Sequence, residues 1–212
     1  MTVATVPSTA LAALKGGKAR EAAALLEAHL AEHPADAGGW FLLGAARHRL
    51  RDCTGARAAF TRAADIDANH LQSRLALAAV CSELGDRDAA LAAAEAALAL
   101  APDDPQARFC RAVALESCGR PEEALADYDR VLARDAGHAD SLRNRGALLR
   151  MLGRFEAAVE NDARLSARQP FSPDAQFQLG DALLAAGRHE EAARAFGRAL
   201  KLSPANARFL LH

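Results

Sequence analysis

Aromatic residues make up only 5% of this 212-residue chain, with one Trp, one Tyr and eight Phe. Alanine supplies much of the 51% hydrophobic share instead. Small side chains at that density suit closely packed helices, because alanine is the best helix former and is depleted from strands. Lysine is nearly missing, at positions 15, 18 and 201, and no basic block interrupts a net charge of −1 from 26 basic and 27 acidic residues. That balance excludes the electrostatic footprint of a strong nucleic-acid binder. No stretch approaches the ~20 apolar residues of a membrane-spanning helix. The N-terminus lacks the basic region of a secretory signal, so the chain is expected in the cytoplasm. Cys53, Cys81, Cys110 and Cys118 form no C-x-x-C pair, and their spacings match no zinc or redox motif. They read as reduced, partly buried thiols.

Chemistry-bearing motifs are missing too. There is no Gly-rich phosphate loop, no G-x-S-x-G and no H-E-x-x-H. The seven histidines are scattered, and read as surface residues. His29 and His33 share one helix face at i, i+4 spacing, but no third ligand accompanies them. Pairs such as Glu122–Glu123 and Glu190–Glu191 fall in first turns of helices, where they complement the dipole. The expectation is therefore a non-catalytic protein with no cofactor and no metal.

What the chain does have is a 34-residue period that runs from end to end without insertion or deletion. Alanine recurs at Ala22, Ala56, Ala90, Ala124, Ala158 and Ala192. Glycine recurs at Gly17, Gly85, Gly119, Gly153 and Gly187, with Arg51 as the break. Proline recurs at Pro34, Pro102, Pro170 and Pro204, with Ala68 and Ala136 in the gaps. Such a period belongs to stacked units, each too small to bury its apolar face alone. The units run 3–36, 37–70, 71–104, 105–138, 139–172 and 173–206, and residues 207–212 begin a seventh.

Within a unit the pattern predicts helix, tight turn, helix, loop. Glycine at the fifteenth position ends the first helix through a left-handed conformation. Proline at the thirty-second ends the second. The eighth position is always small (Ala10, Gly44, Ala78, Ala112, Gly146, Gly180), which lets the helix pair approach closely. Leu43, Phe60, Leu77, Tyr128, Leu149, Leu179, Leu183 and Phe196 fill the remaining space. A charge at Ala124 would be buried and unpaired there.

These units resemble the tetratricopeptide repeat family. The unit at 37–70 reads Trp40-x-x-Leu43-Gly44, then Ala56-x-x-x-Phe60. The unit at 173–206 carries Leu179-Gly180, Gly187, Ala192, Phe196, Ala199 and Pro204. Departures are Pro7, Thr9 and His29 in the first unit, Arg111 and Arg145 in place of leucine, and Asp162 in place of an aromatic. Arg111 and Arg145 read as structural charges paired with Asp127 and Asp162, with an anion site as the alternative. The resemblance implies an all-α, right-handed solenoid of stacked antiparallel helix pairs forming one domain over 1–212.

The resemblance also implies that first helices line a concave groove. Its candidate partner-binding residues are Phe41, Leu75, Phe109, Arg143 and Phe177 at position five, with Arg49, Asn144, Arg150 and Asp181 around them. Either the phenylalanines anchor a peptide or helix of a partner protein, or they are covered by packing against the neighbouring unit. The family's carboxylate clamp has only Arg143, Asn144 and Arg150 to draw on, in one unit. Its asparagine ladder is missing, because position six reads Leu42, Ala76, Cys110, Asn144 and Gln178.

The function expected is a protein-interaction module, adaptor or chaperone-like, without nucleic acid or membrane. One alternative is the substrate-recruiting part of a larger glycosyltransferase- or sulfotransferase-type enzyme, as in bacterial proteins with similar arrays. Another is a scaffold that self-associates as a homodimer through its last face. The pattern breaks off mid-unit at His212, which favours a chain that continues.

Overall fold

The computed structural model describes residues 6–204, so the start of a seventh unit at 207–212 lies outside the described residues. Those residues form twelve helices. They are α1 (Val6–Lys15), α2 (Ala19–Glu32), α3 (Ala37–Arg49), α4 (Cys53–Ile66), α5 (Leu71–Glu83) and α6 (Arg87–Leu100). There follow α7 (Pro105–Ser117), α8 (Pro121–Arg134), α9 (Ala139–Met151), α10 (Phe155–Arg168), α11 (Pro173–Ala185) and α12 (His189–Leu202). No strand occurs among the described residues, and the fold is that of an α-solenoid. No described helix is long and apolar enough to cross a membrane.

The turn chemistry follows the period. Gly17, Gly85, Gly119, Gly153 and Gly187 all have φ between 71° and 78°, the left-handed region that glycine enters without steric cost. Arg51 holds the same place with φ 65°, so the fold imposes this geometry even on a residue with a Cβ. At the next boundary a side chain caps the coming helix. Asp36, Asp104 and Ser172 accept hydrogen bonds from the backbone N–H of Gly39, Ala107 and Ala175. At the same register His70 and His138 do this with a ring nitrogen: each Nδ1 accepts from the N–H of Ser73 or Ser141 at 3.2 Å. These two histidines are helix caps, not the plain surface residues that their scatter in the sequence suggests.

The chain divides into two compact units, residues 1–120 and 121–212. In the first unit each helix from α1 to α7 packs on the next, with α1, α3, α5 and α7 also touching in succession. Its core is mainly alanine and leucine: Ala22, Leu26, Leu43, Ala59, Ala90, Ala94 and Ala97 are all buried. In the second unit α8 to α12 pack in chain order, and α9 touches α11. Tyr128, Val131, Leu142, Leu148 and Leu165 fill its centre.

The small eighth position works as expected. A methyl group added at Gly44 would collide with the ring of Phe60, and one at Gly180 with the ring of Phe196. The helix pairs are therefore close enough that glycine is required under a phenylalanine. Of the expected space-fillers only Leu77 is half-buried; the other seven are buried.

Candidate functional site

In the first unit the aligned first helices present Phe41, Leu75 and Phe109 at equivalent positions. Phe41 and Phe109 are half-buried, whereas Leu75 is buried. Phe41 stands on a ring platform: its centroid is 5.7 Å from Phe60 and 5.2 Å from the cap residue His70. The platform fixes the ring at low entropic cost while leaving part of it to solvent. Beside these side chains lie Ala45, half-buried, and Ala79, exposed, which leave the surface shallow. Arg49 is exposed, and its guanidinium donates to the carbonyl of Leu14 on the preceding first helix.

The second unit is different in chemistry. Phe177 is only 2% exposed and packs against Phe196 at 5.3 Å, so it belongs to the core. Leu75, packed with Ala97, Leu98 and Ala107, and Phe177 are therefore core residues of their own units. Arg143 is half-buried and paired with Asp140 one turn earlier. The amide of Asn144 donates to the Tyr128 hydroxyl at 3.3 Å.

Arg150 pairs with the carboxylate of Asp162, which is fully buried. This corrects the sequence expectation that Arg145 is the partner of Asp162. Arg145 instead reaches Asp129 at 2.7 Å and the Asn161 side-chain oxygen at 3.3 Å. The Asn161 amide donates to the Leu142 carbonyl at 2.6 Å and to Asp162 at 2.9 Å. Burial pushes the Asp162 carboxyl up to about 6 despite the opposing pull of Arg150 and Asn161, and the charge of Asp181 adds to the rise. This network absorbs Arg150 into structure. Asp181, half-buried, lies close enough to act on it electrostatically.

The histidine pair at the end of α2 is also structural. The rings of His29 and His33 are 4.6 Å apart, and His29 Nε2 lies 2.9 Å from Asp36 Oδ2. The other carboxylate oxygen of Asp36 caps α3 through Gly39 at 3.0 Å. Burial opposes it, but the Gly39 N–H and His29 together hold the Asp36 carboxyl below its usual range.

A repeating helix pair with glycine in the left-handed turn, small residues at the crossing and aligned first helices defines a class of interaction scaffold. The model of the tetratricopeptide repeat family matches residues 8–70, 75–139, 117–173 and 152–207. The chain belongs to the tetratricopeptide repeat family. No curated protein sequence matches it. Among solved structures it is similar to PilW, a widely conserved type IV pilus biogenesis factor, at TM-score 0.86 and 17% identity over 97% of this chain and 95% of that one. A tetratricopeptide repeat protein from Parabacteroides merdae gives TM-score 0.81 and 18% identity, over 96% of this chain and 81% of that one. YrrB, a tetratricopeptide protein with an unusual peptide-binding site, gives TM-score 0.69 and 17% identity, over 87% and 95%.

Proposed function

We propose that this chain, built of six tetratricopeptide units, is a non-catalytic, cytoplasmic adaptor that holds an extended peptide or a helix of a partner protein against its first helices. The observation that carries the reading is the pair Phe41 and Phe109. Both rings are half-exposed on first helices that touch in succession, Leu75 between them is buried, and the small residues Ala45 and Ala79 lie beside them. Half-buried aromatics held by their neighbours are the side chains that dominate such interfaces, since little freedom is lost when a partner covers them. The fold similarity to the peptide-binding protein YrrB supports this use of the scaffold.

The polar members have a separate role in the reading. In the first unit the exposed Arg49 supplies charge beside the rings, and such charge sets partner choice and encounter rate more than affinity. In the second unit Arg143 is paired with Asp140. Asn144, Arg150 and Asp181 stiffen the second unit from inside. Leu75 supports the surface of the first unit from beneath, and Phe177 belongs to the core of the second.

Affinity capture from lysate tests the proposal, with the wild-type chain beside Phe41→Ala/Phe109→Ala. Phe177→Ala is unsuitable for this purpose, because emptying a buried ring site costs about 3–5 kcal/mol of stability. A partner retained by the wild type and lost by the double variant supports the groove. A partner retained equally by both places binding on another face.

A further inference from the structure

Three donor side chains of different chemistry meet at one edge of the first unit. His48 comes from the last turn of α3, Cys53 from the first residue of α4 and Glu83 from the last residue of α5. His48 Nε2 lies 2.8 Å from Glu83 Oε1 and 3.0 Å from Oε2, and Cys53 Sγ lies 3.5 Å from Oε2. One ligand atom from each falls within 4.8 Å of the other two. We propose that His48, Cys53 and Glu83 form a binding site for a transition-metal dication, foremost Zn²⁺, with one coordination position left open.

The geometry supports the set. Zinc binds nitrogen and oxygen at about 2.0 Å and thiolate sulfur at about 2.3 Å in a tetrahedron. The edges of that tetrahedron are then about 3.3 Å between nitrogen and oxygen, and about 3.6 Å between sulfur and either. The sulfur–oxygen distance already fits, the His48–Glu83 pair has to open by about half an ångström, and the His48 nitrogen and Cys53 sulfur, within 4.8 Å of each other, have to come to about 3.6 Å. The side chains of His48 and Glu83 are 37% and 43% exposed, so an ion has access from solvent. A mixed imidazole, thiolate and carboxylate set suits a borderline cation such as Zn²⁺ and not Mg²⁺ or Ca²⁺, which take oxygen alone. On coordination the Cys53 thiol proton leaves to solvent and the sulfur binds as thiolate.

The repeat itself does not require this cluster. At the positions equivalent to His48 and Cys53, the other five units carry Leu14 and Ala19, Ser82 and Arg87, Glu116 and Pro121, Arg150 and Phe155, and Leu184 and His189. A metal here ties two successive helix pairs together and offers its open position to a water or to a donor from a partner. This role is independent of the phenylalanine surface, so either can fail alone.

The test is titration of the full, reduced chain with Co²⁺, followed by competition with Zn²⁺. The proposal predicts one equivalent bound, with a sulfur-to-cobalt charge-transfer absorption that Zn²⁺ abolishes. Cys53→Ser should lose the absorption, and His48→Gln and Glu83→Gln should each weaken binding at least about tenfold. Cys81→Ala/Cys110→Ala/Cys118→Ala should keep it. Circular dichroism checks that each variant is folded. No charge-transfer absorption in the wild type, or one that survives Cys53→Ser, overturns the proposal, as does unchanged affinity in both His48→Gln and Glu83→Gln.

Discussion

The carboxylate of Asp162 lies over Gly146 in the place that the rings of Phe60 and Phe196 take over Gly44 and Gly180. One framework position thus holds an apolar ring in two units and a buried charge in a third. The charge is tolerated because Arg150 and Asn161 close around it. Such a pair rarely adds stability over well-packed apolar residues, but removing one partner leaves an uncompensated charge. It makes stability of the second unit depend on pH.

The sign follows from the raised pKa. Asp162 sits at about 6 when folded, against 3.8 for the free side chain, so the folded chain binds the proton more tightly. Its contribution is full below about pH 4 and is lost as pH rises through about 6, over a range worth roughly 3 kcal/mol. Denaturant unfolding between pH 4 and 7 should show stability falling with pH. In Asp162→Asn that fall should be reduced. Arg150→Leu should extend it to higher pH, because the cation no longer opposes protonation.

Arg51 is the second point of tension. It holds the left-handed turn with φ 65°, where every equivalent position is glycine. Relief of Cβ strain in Arg51→Gly should stabilise the chain by about 1 kcal/mol. Thermal or denaturant unfolding measures this, and an unchanged or lower midpoint contradicts it.

Gly44 tests helix spacing. Gly44→Ala places a methyl group against Phe60, and should destabilise the chain by about 1–3 kcal/mol. Gly197, whose added Cβ would meet nothing within 4 Å, provides the control: Gly197→Ala should be neutral or slightly stabilising, as alanine favours a helix.

Much of this architecture is legible in the sequence. With Arg51, Ala68 and Ala136 as the exceptions, glycine and proline at fixed register mark most turns, because backbone conformation depends on those residues directly. The exposure of a ring does not. Phe41 and Phe177 share a register position, yet one is half-exposed and the other buried. Asp162 stands out in the sequence as a departure, but its partner does not: the framework leucine position points to Arg145, whereas the ion pair is with Arg150. The capping role of His70 and His138 could have been found by aligning them with Asp36, Asp104 and Ser172. His48, Cys53 and Glu83 have no motif spacing, since they meet only when successive pairs stack.

The central claim is that Phe41 and Phe109 anchor a partner. Its most direct measurement is calorimetric affinity of the purified chain for the captured partner segment, wild type beside Phe41→Ala/Phe109→Ala, with folding verified. The account predicts a loss of about 2 kcal/mol or more, roughly thirtyfold in affinity. Unchanged affinity in a folded double variant would contradict it.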